Sequence, residues 1–496
     1  MRLRSFPGNA FGRSLCFSKD YWKSIPKTRG DHRGVRHLVG WRDLARSGIW
    51  RTRFWGLILL CVLLVSSCAI APSVPPLQPA INSLVVANRM NIAADKISAE
   101  EAHYGAGNYL LYYLERGLVG FYAGRYQDSI RSFEKAKQRF EENYTTSLSK
   151  EGMTWLVNDT FAPYRGSDYE YVLVNVFQAL NFLQLGDLNE ALVEARVLAA
   201  KYQVVEMLSR KVKRRHYEDN GFARFFMGLL MQSAGGGGNE SEALLFYKEA
   251  LAIYRQFYDG KYLPRMLQEN LLMLARKFGD EGYADLRREM QDVGMVSPRP
   301  DMAQLVVIHL VGYSPIKVPQ IIPVPLDRNF ITKITFPKFI KRFYTVRSAR
   351  ITAENDLGRR TSVETELGMD IEALAIKDQE SRRAAVLAKA VIRPALKYMV
   401  ERKQKESIEK KHGDSSADTF GVLSNIYNLV SEQADLRSWQ ALPGQIRIAR
   451  LFLSPGSYKI TSEGLGEGGL PVREDRVGEL QLKPGELRFV VIRSPR

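Results

Sequence analysis

Residues 113–136 read YLERGLVGFYAGRYQDSIRSFEKA, and this stretch decides the fold that we expect. Its apolar residues recur at intervals of three and four, which predicts two amphipathic helices. Gly124 marks the turn between them. The same helix–turn–helix pattern returns in residues 176–199, VFQALNFLQLGDLNEALVEARVLA, and in residues 225–250, FFMGLLMQSAGGGGNESEALLFYKEA. These blocks predict a helical repeat region over residues 82–295.

The three blocks resemble the tetratricopeptide repeat. In the first block Gly117 stands at the small position of the first helix, and Ser129, Phe133 and Ala136 stand at the matching positions of the second. The resemblance implies stacked helix pairs whose first helices line a concave groove. The alternative interpretation is a generic helical bundle with coincident glycines.

Mapping the repeat onto the chain gives candidate partner-binding residues in this groove, namely Leu114, Leu118, Tyr122 and Leu180. The insertion between the first two blocks, residues 142–170, adds Trp155, Tyr164, Tyr169 and Glu170. Aromatic-rich loops on a rigid scaffold are frequent contact sites. Two alternatives stay open here. The aromatic residues either contact a partner or plug the gap between repeats. The groove either receives a partner helix or strand or is covered by the chain's own second half, since an exposed groove this apolar would be prone to aggregation.

After about residue 296 the pattern changes. Residues 305–326, LVVIHLVGYSPIKVPQIIPVPL, are rich in β-branched residues and proline, which predicts strands. Residues 367–411 predict a long helix kinked near Pro394, and residues 418–435 a second helix. Residues 437–496 alternate around two Pro-Gly turns and predict a small β-module. The expected fold class is α+β: a tetratricopeptide-like α-solenoid, a mixed region over residues 296–436, and a C-terminal β-module.

A signal precedes the repeats in residues 54–68, FWGLILLCVLLVSSC. Its apolar core is shorter than the roughly 20 residues that span a bilayer, and basic residues precede it, as in a signal peptide. The ending Ser66-Ser67-Cys68 resembles the lipobox of bacterial lipoproteins, which implies cleavage before Cys68 and acylation of its thiol. By the proteobacterial sorting rule, Ala69 then implies the periplasmic face of the outer membrane. The alternative is an uncleaved signal anchor with an incidental cysteine.

These boundaries divide the start of the chain. Residues 1–67 are the leader and signal peptide, and residues 1–43 fit a start-site artefact because no methionine lies between Met1 and Met90. A start near Val39 or Leu44 leaves a signal of ordinary length. Residues 68–81 are rich in proline, which predicts an extended tether beyond the lipidated cysteine.

Removal of the leader changes the electrostatics. The whole chain has a net charge of +17, but residues 1–67 hold 13 Lys and Arg against 3 Asp and Glu, which leaves a surplus of seven over the mature part. Nucleic-acid binding is therefore not indicated. Of the cysteines only Cys68 remains, so we expect no disulfide within the chain and no cysteine metal site.

Motifs that carry chemistry are scarce. The chain has no HExxH, P-loop, GxSxG or dinucleotide fingerprint. Glu190 and Glu194 share a helix face not far from Asp168 and Glu170, and paired carboxylates serve glycan hydrolysis. Exposed carboxylates four residues apart are also common on repeat helices. We therefore predict no catalytic residue, no cofactor and no metal.

Taken whole, the chain resembles an uncharacterised family of proteobacterial repeat-containing lipoproteins, most closely over residues 164–196, 305–325 and 438–458. This family supplies no reaction. The expected function is a non-enzymatic outer-membrane scaffold that binds a cell-envelope protein in assembly, peptidoglycan synthesis or secretion. The alternative is a peptidoglycan- or glycan-acting enzyme with its site between the two halves. The sequence leaves the oligomeric state open.

Overall fold

The structure is a computed structural model. It describes residues 74–150, 162–211, 220–296, 299–327, 330–412, 418–419, 421–422 and 433–495. Helices make up the first half of this part of the chain, and strands with one long helix make up the second. The mixed content of helix and sheet confirms the predicted α+β class.

The helical half follows the predicted pattern closely. Its helices are α1 (Gln78–Val86), α2 (Met90–Ala99), α3 (Tyr109–Tyr122), α4 (Tyr126–Lys150), α5 (Asp168–Gln184), α6 (Leu188–Lys211), α7 (Gly221–Ala234), α8 (Gly237–Phe257), α9 (Arg265–Lys277) and α10 (Tyr283–Glu289). Two short 3-10 turns, Glu101–Tyr104 and Ala106–Asn108, precede α3. Each predicted helix–turn–helix block is present, as α3 with α4, α5 with α6, and α7 with α8.

Small residues let the paired helices approach each other closely. A Cβ atom on Gly117 of α3 would lie 2.6 Å from the ring of Phe133 on α4, which is closer than carbon atoms pack. Gly228 on α7 meets Tyr247 on α8 in the same way. Gly124, in the turn after α3, has φ +73°, a conformation that favours glycine. The glycines of the repeat pattern are therefore required by packing and by turn geometry.

The second half forms three sheets. Its strands are β1 (Ala303–Val311), β2 (Ile316–Asp327), β3 (Phe330–Ile340), β4 (Ser348–Asn355), β5 (Arg360–Glu364), β6 (Glu366–Asp370), β7 (Gln445–Leu453), β8 (Gly456–Leu465), β9 (Pro471–Leu482) and β10 (Leu487–Ser494). The long helix α11 (Ile371–His412) lies between β6 and β7 in the chain. The first sheet has the order β10-β1-β7-β6, the second is the hairpin β2-β3, and the third has the order β5-β4-β8-β9.

The first sheet lies between the helices and the third sheet. On β1, Leu305 and Val307 are buried against the third sheet, whereas Val306, Ile308 and Leu310 are buried against the helical core. A strand covered on both faces requires a continuous apolar run, and β1 reads AQLVVIHLV. The described part of the chain after residue 74 is thus layered as helices, sheet and sheet.

The structure corrects the predicted C-terminal β-module. β10 pairs with β1 in parallel, and β7 pairs with β1 and β6, so residues 437–496 do not form a separate sheet. β8 and β9 instead join β4 and β5 in the third sheet. These pairings join strands far apart in sequence, which local turn signals do not encode.

Two boundaries also differ from the predictions. The tether predicted over residues 68–81 overlaps α1, which begins at Gln78, with Ile81 and Val85 buried in the helical core. The long helix begins at Ile371 and not at residue 367, because residues 366–370 form β6 against β7. The leader, Cys68, Trp155 and most of the predicted helix 418–435 lie outside the described residues.

Candidate functional site

The side chains predicted to line a groove on α3 and α5 are buried. Leu114, Leu118 and Leu180 have no exposed surface, and Tyr164 and Tyr169 are 6% exposed. The structure therefore brings most of the predicted contact residues together. It also encloses them, so a partner cannot touch them in this conformation.

The chain's own residues 435–442, DLRSWQAL, occupy this groove, and we call them the inserted segment. Trp439 is 1% exposed. Its ring lies edge-on to Phe133 of α4 at 5.9 Å and to Phe177 of α5 at 6.1 Å, measured between ring centroids. Aromatic pairs of this geometry add stabilisation beyond that of buried area. Trp439 is thus the anchor of the segment.

Two buried carboxylates hold the main chain of the inserted segment. Glu170 Oε1 accepts the backbone N–H of Trp439 at 2.9 Å, and Glu115 Oε1 accepts that of Gln440, also at 2.9 Å. Gln78 Nε2 donates to Glu115 Oε1 at 3.0 Å and to the Ser438 carbonyl at 2.8 Å. Hydrogen bonds to charged acceptors are roughly twice as strong as neutral ones. The helices therefore hold the backbone of a segment that is neither helix nor strand.

The remaining predicted residues complete these contacts. Glu170 also accepts the Tyr164 hydroxyl at 2.6 Å and the Ser167 N–H at 2.8 Å, the latter at the start of α5. The Tyr122 hydroxyl donates to the Ala441 carbonyl at 3.1 Å. The Arg437 guanidinium of the segment lies over the Tyr164 ring, 5.6 Å from its centroid. Among the predicted site residues that the structure describes, Tyr122, Tyr164 and Glu170 thus contact the inserted segment directly.

Burial controls the ionisation of both carboxylates. It raises the pKa of Glu115 from 4.5 to about 7, against the opposing effect of hydrogen bonds from Gln78 and the segment backbone. Burial also raises the pKa of Glu170, and the Tyr164 hydroxyl is the largest opposing influence. Sequence reasoning missed Glu115. The signal for it was a lone acidic residue at the centre of the apolar helix YLLYYLERGLVGFY.

The outer side of the inserted segment is covered by the other half of the chain. Lys317, at the base of β2, donates to the Arg437 carbonyl at 2.9 Å, and Ser314 Oγ donates to the Trp439 carbonyl at 3.3 Å. Arg342 donates to the Gln440 carbonyl. Of the two alternatives for the groove, the structure thus has the one in which the chain covers it.

The acidic residues considered for glycan hydrolysis do not share one site. Glu194 is buried in an ion pair with Lys137, at 2.6 Å, and accepts a hydrogen bond from Asn175 at 2.7 Å. Glu170 is committed to the inserted segment. Glu190 lies on the exposed side of α6. Each carboxylate therefore has a different environment.

A further group that the sequence did not reveal lies at the end of β1. His309 Nε2 is 2.9 Å from Ser494 Oγ, and Nδ1 is 3.3 Å from Thr365 Oγ1. This order of hydroxyl, imidazole and hydroxyl resembles a nucleophile with its base, but all three side chains are buried. Burial lowers the pKa of His309 to about 3, so the ring is neutral. The group pins β10 and the β5–β6 connection to β1.

A surface cleft of about 580 Å³ lies among α8, α10 and the loop before α10. Ion pairs occupy its walls, between Lys248 and Asp280 and between Arg255 and Glu289. Among the described residues there is no cluster of three or more potential metal ligands. In the same part of the chain, no helix combines the length and the apolar character that crossing a bilayer requires.

Exposed apolar side chains are concentrated elsewhere, on the hairpin β2–β3 and on α11. Ile321 and Ile322 of β2 are 54% and 44% exposed, and Val391 and Met399 of α11 are 51% and 58% exposed. Phe343, just after the hairpin, is 83% exposed. Soluble proteins rarely leave such side chains grouped without a binding function.

Both edges of this hairpin are blocked against addition of a further strand. Pro319 lies opposite Pro337, and because neither has an N–H, this pair makes no hydrogen bonds across the hairpin. Hydrogen-bonded and non-hydrogen-bonded pairs alternate along antiparallel strands, so the odd-numbered residues of both strands direct their N–H and C=O groups outward. On the outer edge of β2, Pro319, Pro323 and Pro325 lack donors. On β3, Gln379 of α11 accepts the Phe339 N–H at 3.0 Å and donates to the Pro337 carbonyl at 2.8 Å. Since strand addition is blocked at both edges, the side chains of the hairpin are the surface that it offers to a partner.

The chain matches no protein-family model and no curated protein sequence.

Proposed function

We propose that the protein is a non-enzymatic outer-membrane lipoprotein, anchored through Cys68 and facing the periplasm. In this proposal its helix pairs are a tetratricopeptide-like array that serves as a scaffold for a cell-envelope protein in assembly, peptidoglycan synthesis or secretion. The lipobox pattern supports the anchor. The close approach of Gly117 to Phe133, and of Gly228 to Tyr247, supports the repeat assignment because the repeat places a small residue against an aromatic one.

The exposed hairpin β2–β3 is the observation that carries the scaffold proposal. The groove first predicted for a partner is filled by Trp439 and its neighbours, whereas Ile321 and Ile322 present adjacent apolar side chains on the two faces of a two-stranded ribbon. A partner that packs on these side chains would bury area now in contact with water. We therefore place the protein partner on the hairpin and not in the groove.

Site-specific photocrosslinking in intact cells tests this placement. A photoreactive phenylalanine analogue replaces Ile322 in one strain and Leu245, which is 54% exposed on α8, in a matched control. We expect one reproducible protein adduct from position 322 and none from position 245. Equal labelling at the two positions, or no adduct at position 322, contradicts the placement.

The anchor has its own test. Cys68→Ala removes the thiol that acylation requires, so metabolic labelling with a palmitate analogue should be lost together with retention in the outer-membrane fraction. Replacement of Cys61, inside the apolar core, with alanine is the matched control and should leave both unchanged. Acyl labelling that survives Cys68→Ala means that the lipobox assignment is wrong.

A further inference from the structure

The middle of α11 has a composition unlike the rest of the molecule. Residues 381–400 read SRRAAVLAKAVIRPALKYMV and contain five basic residues and no acidic residue. The predicted mature chain as a whole is nearly balanced in charge. A basic, otherwise apolar stretch on a helix is typical of a segment that lies on a membrane surface.

Three of the exposed apolar positions of this segment lie on one side of the helix. At 3.6 residues per turn, Val391, Ile392 and Met399 fall within about 100° of the helix circumference. Their side chains are 51%, 41% and 58% exposed. Four of the five basic positions, 382, 389, 393 and 397, fall within about 80° of one another, roughly 140° away from the apolar stripe, and Val400, which is 50% exposed, lies among them. One side of this part of α11 is therefore apolar and in water, and most of its basic positions lie on the other side.

Charge decides among the possible occupants of this stripe. A second copy of the chain would bring ten basic positions close together, which costs electrostatic repulsion. A bilayer with anionic headgroups offers both an apolar interior for Val391, Ile392 and Met399 and phosphates that attract the basic positions of the same segment.

We propose that residues 381–400 of α11 dock on the surface of an anionic phospholipid bilayer, with Val391, Ile392 and Met399 at the boundary between headgroups and acyl chains. This contact is separate from the hairpin site for a protein partner. In the anchored protein it holds the body in one orientation on the membrane to which Cys68 is attached, and to that extent it rests on the proposed lipid anchor.

Fluorescence of the acylated protein on vesicles tests the proposal. If Cys68 is acylated, a cysteine introduced by Val391→Cys is the one thiol available for an environment-sensitive NBD label. Leu245→Cys, on α8, is the matched control. The labelled proteins are bound to vesicles of phosphatidylcholine alone or of phosphatidylcholine and phosphatidylglycerol in equal parts, each containing a spin-labelled lipid as quencher.

We expect a blue shift and severalfold stronger quenching at position 391 on the anionic vesicles, and neither at position 245. The triple variant Lys389→Gln, Arg393→Gln, Lys397→Gln should lose the difference between the two vesicle types. Equal spectra for position 391 on both vesicle types overturn the proposal, as does a label already shielded before vesicles are added. Protein that does not float with either vesicle contradicts the lipid anchor instead, so the two failures are distinguishable.

Discussion

The groove on α3 and α5 and the stripe on α11 are both apolar surfaces formed by helices, and the chain treats them differently. In the groove, Trp439 fills the space and two carboxylates hold the backbone beside it. On α11, Val391 and Met399 remain in water. An apolar helix face therefore indicates a binding surface only when no other part of the chain reaches it.

Removal of the anchor of the inserted segment should have the largest effect. Trp439→Ala deletes a fully buried aromatic side chain, and such deletions cost about 3–5 kcal/mol of unfolding free energy. Urea denaturation measures the loss. Phe343→Ala, at a residue 83% exposed, is the control and should change stability by less than about 0.5 kcal/mol. A loss below about 1 kcal/mol for Trp439→Ala means that the segment is not part of the core.

The next effect is a pH dependence from Glu115. Its pKa rises from 4.5 to about 7 on folding, so the folded chain binds the proton more tightly than the unfolded chain. The free energy of unfolding therefore falls as pH increases from about 4.5 to about 7. Glu115→Gln keeps an acceptor for the Gln440 N–H without the buried charge. Between pH 4.5 and pH 8, the free energy of unfolding of the variant should rise by about 3 kcal/mol relative to that of the wild type.

Chemical denaturation at these two pH values checks the expectation. Glu281→Gln changes an exposed carboxylate in the loop before α10 and serves as the control, with no comparable pH-dependent gain. If Glu115→Gln destabilises the protein by the same amount at both pH values, the buried charge of Glu115 does not affect stability. The loss then comes from weaker hydrogen bonds at this position.

On the other side of the comparison, Gln379 holds the hairpin to α11. Gln379→Ala removes its hydrogen bonds to Phe339 and Pro337, which we expect to cost about 1–2 kcal/mol and to expose the edge of β3. Hydrogen exchange at the Phe339 amide should become roughly tenfold faster. Gln404→Ala, at an exposed position of the same helix, should leave that amide unchanged. Protection that persists in Gln379→Ala means that the edge is covered by other groups.

The sequence predicted the elements better than it predicted their arrangement. The helix pairs were predictable because helical periodicity and turn glycines such as Gly124 are local signals. Strand pairings such as β1 with β10 were not, because they join residues more than 180 positions apart, as Gln304 with Leu487. The prediction of a separate C-terminal β-module was wrong for this reason.

The candidate site shows the same limit. Leu114, Leu118 and Leu180, which repeat spacing predicts on one face, are all buried in the helical core. The inserted segment, DLRSWQAL, carries no local pattern that assigns it to a groove formed by residues over 250 positions earlier. Glu170 was identified as a contact residue, and it does make a backbone contact, but the contact is with the chain's own Trp439.

The smallest effect on stability should come from substitutions in the stripe on α11. Val391→Ser and Met399→Ser together replace side chains that are already exposed by half or more, so the unfolding free energy should change by less than about 0.5 kcal/mol for each. Burial stabilises the folded state by about 25 cal/mol for each Å² of apolar surface that is removed from water. These two side chains lose little apolar surface on folding, so they contribute little to stability. Phe133→Ser, in the wall of the groove, is the opposite case and should unfold the helical half. If the double variant on α11 is instead strongly destabilised, its apolar stripe is part of a core, and the distinction between a filled and an exposed surface no longer separates the two regions.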